Sequence, residues 1–170
     1  TLTNRGLIDG GDTVVTAGNT INNIGTGRIY GNNLSVGTTI LNNIDETING
    51  VNKAATIAAR EDLDIGAQTI NNIEHSSLIS LGDMRIGGAL DSNNQATGKA
   101  AVINNNSATI ESTGDMSINV GQLNNRNMHF ATGQVVVGTE QRYYYRPSVS
   151  SPYYSQYDVY ISDDNGNIVT

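Results

Sequence analysis

Thr109-Ile110-Glu111-Ser112-Thr113-Gly114-Asp115-Met116-Ser117-Ile118 is the clearest copy of a pattern written six times along the chain. An apolar anchor is followed four or five positions later by Asp, Asn or Gln. Alternating apolar residues come next, and then a Gly. The same order surrounds Ile8 (Asp12, Val14, Gly18), Ile29 (Asn33, Leu34, Val36, Gly37) and Ile57 (Asp62, Leu63, Ile65, Gly66). It returns at Ile79 (Asp83, Met84, Ile86, Gly87) and Phe130 (Gln134, Val135, Val137, Gly138). The anchors are 21, 28, 22, 31 and 20 residues apart. A unit of about 20 residues, lengthened at two steps, indicates stacked solenoid architecture.

Within a unit the apolar residues alternate with polar ones, as in Met116-Ser117-Ile118-Asn119-Val120. Period two is the mark of a strand with one buried face. Gly, Asn and Asp punctuate the strands and tolerate the left-handed backbone of tight turns. Three strands of four to five residues per coil predict an all-β, right-handed parallel β-helix of six to seven coils, each about 4.8 Å along the axis. The anchors Ile8, Ile29, Ile57, Ile79, Ile110 and Phe130 are expected to stack as a buried column.

A second rhythm supports this register. Asn pairs recur at 22–23, 42–43, 71–72, 104–105 and 124–125, each preceded by an apolar residue. Stacked on successive coils, Asn22, Asn42, Asn71, Asn104 and Asn124 are expected to form an amide ladder. Sugar binding by the same amides is the functional alternative. The long steps place insertions at 45–52 and 88–100, which should loop out without breaking the stack. Residues 53–60 have helical propensity. The repeat overrides it, because Ile57 and Asp62 fall in register.

Composition agrees with a thin core. Only 5% of the 170 residues are aromatic and 15% are charged, while Gly numbers 19. There is no Cys, which removes disulfides, thiol catalysis and Cys-based zinc sites and suits a chain exported unfolded. Nine basic against 16 acidic residues give a net charge of −7, which argues against a nucleic-acid partner. No run of about 18 apolar residues predicts a membrane span. The chain starts inside a repeat and is expected to be a piece of a longer protein with further repeats upstream.

Chemistry finds few candidates, and no cofactor is expected. Asp62, Asp83 and Asp115 occupy equivalent positions, and repetition favours turns over a unique catalytic pair. Asp9-Gly10-Gly11-Asp12 and 163–167 offer oxygen ligands but complete no calcium loop. His75 and His129 are too few and too distant in sequence to indicate zinc.

After Gly138 the asparagine rhythm stops, and seven of the eight Tyr and both Pro follow. Residues 1–138 read as the repeat domain. Residues 139–170 read as a Tyr/Pro-rich transition into a different module. Tyr143, Tyr144, Tyr145, Arg146, Tyr153, Tyr154 and Tyr157 are its recognition candidates, since Tyr and Arg dominate binding hot spots. The alternative is that these rings cover the end of the solenoid or pack within the next module. A strand over 157–161 and a turn over 163–167 are also expected.

The stretches LTNRGLIDGGDTVVTAG, INNIGTGRIYGNNLSVG and ATIESTGDMSINVGQLNN resemble the filamentous haemagglutinin-type repeats of two-partner-secreted exoproteins. These proteins include adhesins and the toxin carriers of contact-dependent growth inhibition, the CdiA group, which the chain resembles most. The resemblance covers residues 1–138. It implies export through an outer-membrane transporter of the two-partner type and display on a Gram-negative cell surface. It also implies a receptor on a target bacterium or host cell as partner, with residues 139–170 as the expected start of a receptor-binding region. Neither a secretion domain nor a toxin domain is recognisable, so no toxic activity is assigned to this chain. A polysaccharide-cleaving β-helix enzyme is the remaining rival class.

Overall fold

The computed structural model describes residues 1–134 and, beyond them, residues 138, 144–145, 150, 154–155, 161–162 and 168–169. The chain divides into two compact units, Thr1–Phe130 and Ala131–Thr170. In the second unit, Tyr144–Tyr145 pairs antiparallel with Tyr154–Ser155, and Ile161–Ser162 with Ile168–Val169. The strand expected over 157–161 and the turn over 163–167 lie largely outside the described residues.

The first unit is a right-handed parallel β-helix with three faces. The first face stacks Thr13–Thr16, 34–37, 63–66, Met84–Gly87 and Met116–Ile118. The second stacks Leu2–Asn4, Thr20–Ile24, 40–44, 69–73, Ala100–Asn106 and Val120–Arg126. The third stacks Leu7–Asp9, Arg28–Gly31, Thr56–Ala59, Ser77–Ser80 and Thr109–Ser112. In two coils the first and second faces run on as single strands, Leu34–Ile44 and Leu63–Ile73. The second face has six rungs, so its first and last strands are about 24 Å apart at the usual spacing. Thr56–Ala59 is a strand, so the repeat prevails over helical propensity there.

Alternation along each strand sends every second residue inward, and register stacks those residues into columns. Val15, Val36, Ile65 and Ile86 line the first face, together with Leu34, Leu63 and Met84. Ile21, Leu41, Ile70 and Ile103 line the second. Full burial of such a side chain stabilises by roughly 1.5–3 kcal/mol.

The third-face column corrects two expectations. It runs Ile8, Ile29, Ile57, Leu78, Ile110. Leu78 is fully buried, while Ile79 pairs with Ala58 and Glu111 on the outward face. A slip of one residue in a strand exchanges inside for outside, and Leu78-Ile79 offers an apolar residue at either register. Ile110 is half-buried, because its strand has a neighbour on one side only. Phe130 does not join the column. It is 74% exposed and closes a turn by donating its N–H to Asn127 O. Among the described residues no strand of the third face follows Thr109–Ser112.

Both insertions are antiparallel hairpins. Glu46–Ile48 pairs with Val51–Lys53 across Asn49-Gly50. Both turn residues have positive φ, 52° and 76°, as a two-residue type I′ turn requires. The second insertion does not loop out as expected. Ala89–Leu90 and Ala96–Thr97 pair, and the hairpin folds back onto the first face. Glycine permits this close approach: a Cβ on Gly66 would lie 2.2 Å from the Ala89 carbonyl carbon, and one on Gly87 would lie 2.6 Å from Thr97 O. Gly66→Ala is therefore expected to displace the hairpin and cost about 1–3 kcal/mol. Faster protease cleavage within 91–95, with the coils still folded, is the readout.

Candidate functional site

The asparagine pairs build two ladders rather than one. Adjacent residues of a strand face opposite sides. The first Asn of each pair therefore points outward and the second inward. In the outer ladder Asn42 donates to Asn22, Asn71 to Asn42, Asn104 to Asn71 and Asn124 to Asn104, each at 2.8 Å. In the inner ladder Asn4 donates to Asn23 at 2.9 Å, Asn23 to Asn43, Asn43 to Asn72 and Asn72 to Asn105 at 2.8 Å, and Asn105 to Asn125 at 2.9 Å. The donors of the two ladders point in opposite directions along the axis.

The inner amides also hold the corner between the second and third faces. Asn23 Nδ2 donates to Thr56 O, Asn43 Nδ2 to Ser77 O and Asn72 Nδ2 to Thr109 O, at 3.0, 3.1 and 2.8 Å. Asn23, Asn43 and Asn72 are fully buried. Sequence reading missed this inner column, although the doubled Asn was its signal.

Two of the three repeated carboxylates, Asp62 and Asp83, cap the turn of the next coil. Asp62 Oδ1 accepts the Asp83 N–H at 3.0 Å, and Asp83 Oδ1 accepts the Asp115 N–H at 2.9 Å. Asp12 Oδ1 accepts from Asn33 Nδ2 at 2.9 Å. Asp9, the other oxygen donor of its short run, receives a two-pronged bond from Arg60 at 3.0 and 2.9 Å. Among the described residues no three His, Cys, Asp or Glu side chains form a metal-holding group. Residues 163–167, the second oxygen-rich run, lie outside the described residues.

Among the described residues one carboxylate is buried. Asp64, 5% exposed, takes Arg85 Nε and Nη2 at 2.9 Å each and the Ala96 N–H at 2.7 Å. The Asp64 carboxylate pushes the Arg85 guanidinium further above its ordinary range. This cluster straps the 89–97 hairpin to the first face. Arg85 Nη2 also reaches Asp62 Oδ2 at 3.4 Å, so the guanidinium holds both carboxylates of the cluster.

The other hairpin is held by Arg5, whose Nε and Nη2 both reach Glu46 at 2.9 Å. The bonded guanidinium lowers the Glu46 carboxyl from its usual value, and Arg60 lowers Asp9 in the same way. A carboxyl with a depressed folded-state pKa stabilises fully above its unfolded value. That contribution fades as pH falls through the folded value. The Glu46–Lys53 hairpin is therefore expected to lose amide protection below about pH 4. The coils keep theirs, and hydrogen exchange at pH 6 and pH 3 compares the two.

One hollow of the outer surface lies on the third face and another at the end of the inner ladder. One, of about 220 Å³, is lined by Tyr30, Ala58, Arg60, Ile79 and Leu81 on the third face. The other, of about 600 Å³, brings His75 and His129 together. Of the recognition candidates, Tyr144, Tyr145 and Tyr154 are in short strands. Tyr143, Arg146, Tyr153 and Tyr157 lie outside the described residues.

Coils of about 20 residues, with register carried by stacked amides and aliphatics, are the geometry expected of the resemblance drawn from the sequence. A family model described as Haemagglutinin repeat matches residues 1–51 and 47–139. The chain belongs to the haemagglutinin repeat family. No curated protein and no solved structure gives a significant match to it. As a haemagglutinin repeat domain it is a structural β-helix, consistent with a component of a secreted bacterial surface filament.

Proposed function

We propose that this haemagglutinin repeat domain is a rod segment of a secreted Gram-negative surface filament. The rod holds a receptor-binding or toxin module away from the producing cell and against a neighbouring one, as in contact-dependent growth inhibition. The observation that supports this reading is the continuous inner asparagine ladder from Asn4 to Asn125. A ladder that hydrogen-bonds each coil to the next resists bending and shear, which is what a spacer needs. The Asp62 and Asp83 carboxylates serve the same stacking, which supports a non-enzymatic reading. An outer-membrane transporter of the two-partner type is the proposed export partner. A receptor on a target bacterium or host cell is the proposed distal partner.

The test is binding of the labelled chain to intact Gram-negative cells and to host cells, with and without residues 139–170. A spacer with a recognition segment predicts bacterial binding that disappears with the deletion. Binding to no cell by either form limits the chain to spacing. The host-directed adhesin reading is favoured by one observation, the apolar hollow beside Tyr30 with Arg60 and Asp9 at its rim. It predicts host-cell binding that survives the deletion and is lost in Tyr30→Ala.

A further inference from the structure

We propose that the corner following the second face, beside the last coils, is an oxyanion-binding site. It takes a carboxylate or sulfate carried on a sugar-sized ligand. The inference stands apart from the spacer reading.

His75, Ser107, Asn125, Arg126, Asn127 and His129 line one hollow of about 600 Å³, within the usual range of small-ligand sites. The protein's two histidines meet there because three turns stack as successive copies of one corner. Glu74 N–H donates to Asn106 O and His75 N–H to Ser107 O, while Ser107 N–H donates to Arg126 O. Met128 N–H donates to Ser107 Oγ at 2.8 Å and brings the chain back across the corner.

The hollow gathers unused donors. Among the described residues the other four arginines are engaged: Arg5 with Glu46, Arg28 with backbone carbonyls, Arg60 with Asp9 and Arg85 with Asp64. The Arg126 guanidinium makes no hydrogen bond or ion pair, and neither does the His75 ring. Asn125 accepts from Asn105, but its own amide nitrogen ends the inner ladder without an acceptor. Asn127 accepts the His129 N–H and keeps its amide nitrogen free. The carboxylate bonded at this corner, Glu74, is occupied by His129 Nε2 at 2.7 Å and does not line the hollow.

In a chain of net charge −7, a guanidinium, an imidazole and two amides converge here with no acceptor of their own. These donors are exposed and have no protein acceptor, so they are open to an oxyanion, and the planar guanidinium meets carboxylate or sulfate through two parallel bonds. The overall negative charge disfavours a polyanionic nucleic-acid backbone as the source.

The experiment is an NMR titration of the full chain with sodium sulfate and, separately, sodium glucuronate, against sodium chloride at matched ionic strength. Saturable shifts of the Asn125 and Asn127 amides beyond the chloride control are expected for at least one anion. Arg126→Gln should weaken that binding about tenfold, the size of one charge-assisted bond. His75→Asn should weaken it less, and Lys99→Gln not at all, with melting unchanged in all three. Sulfate alone points to a sulfate ester, and glucuronate alone to a carboxylate sugar. No saturable shift with either anion, or unchanged affinity in Arg126→Gln, overturns the proposal.

Discussion

Leu78→Asp is expected to abolish cooperative melting of the central coils, whereas Ile79→Asp, one residue on, should melt within a few degrees of the parent. Leu78 is fully buried and stacks between Ile57 and Ile110. Losing it forfeits roughly 1.5–3 kcal/mol of apolar burial. The new carboxylate adds a desolvation cost of several kcal/mol, because that column holds no cation or donor to receive it. The sum is on the order of the total stability of a domain. Coils stabilise one another through shared interfaces, so failure at one rung separates the coils on either side. Ile79 faces outward between Ala58 and Glu111 and is half-buried. A carboxylate there stays hydrated and meets mild repulsion from Glu111, for a cost of about 1 kcal/mol or less. Thermal unfolding followed by circular dichroism separates the cases. A severe Ile79→Asp beside a mild Leu78→Asp would reverse the register.

The adjacent pair Leu78-Ile79 also shows how far the sequence can be read. Period and spacing place Ile8, Ile29, Ile57 and Ile110 in one column, and among these four only Ile8 has a second large aliphatic, Leu7, beside it. Where two apolar residues adjoin, alternation alone does not choose between them. Distance to the following Asp offered a signal: Leu78 to Asp83 repeats the five-residue spacing of Ile57 to Asp62 and Ile110 to Asp115. The corner from third to first face varies in length, however, and Ile8 and Ile29 sit four residues before Asp12 and Asn33. Phe130 matched the spacing without a strand to carry it.

The fold-back of the 89–97 hairpin depends on Gly66 and Gly87 being neighbours on the first face and on Asp64 reaching the Ala96 N–H. Contacts between coils of that kind have no local pattern. The same is true of the corner that joins His75 to His129. Their separation in sequence discouraged any shared site, while coil stacking brings them to one hollow.

Asn72→Ala is expected to destabilise the first unit by about 3–5 kcal/mol, against about 1 kcal/mol or less for Asn71→Ala beside it. Both side chains are ladder members, and they differ in what replaces them. Asn72 is fully buried. Its Oδ1 accepts from Asn43, and its Nδ2 donates to both Asn105 Oδ1 and Thr109 O, all at 2.8 Å. Alanine leaves Asn105 Oδ1 and Thr109 O without these donors. Asn43 Nδ2 keeps its bond to Ser77 O but loses its ladder acceptor. Each buried polar group left unsatisfied costs about 1–3 kcal/mol, and a water admitted to the gap recovers part of it. Asn71 makes two bonds on the outward side, to Asn42 and Asn104, where solvent substitutes for both. Denaturant midpoints should show the difference, and hydrogen exchange should place the Asn72→Ala damage at the corner of Ser77 and Thr109. Equal shifts for the two variants would mean that the buried amides contribute no more than the exposed ones. The rigidity proposed for the rod would then rest on its aliphatic columns alone.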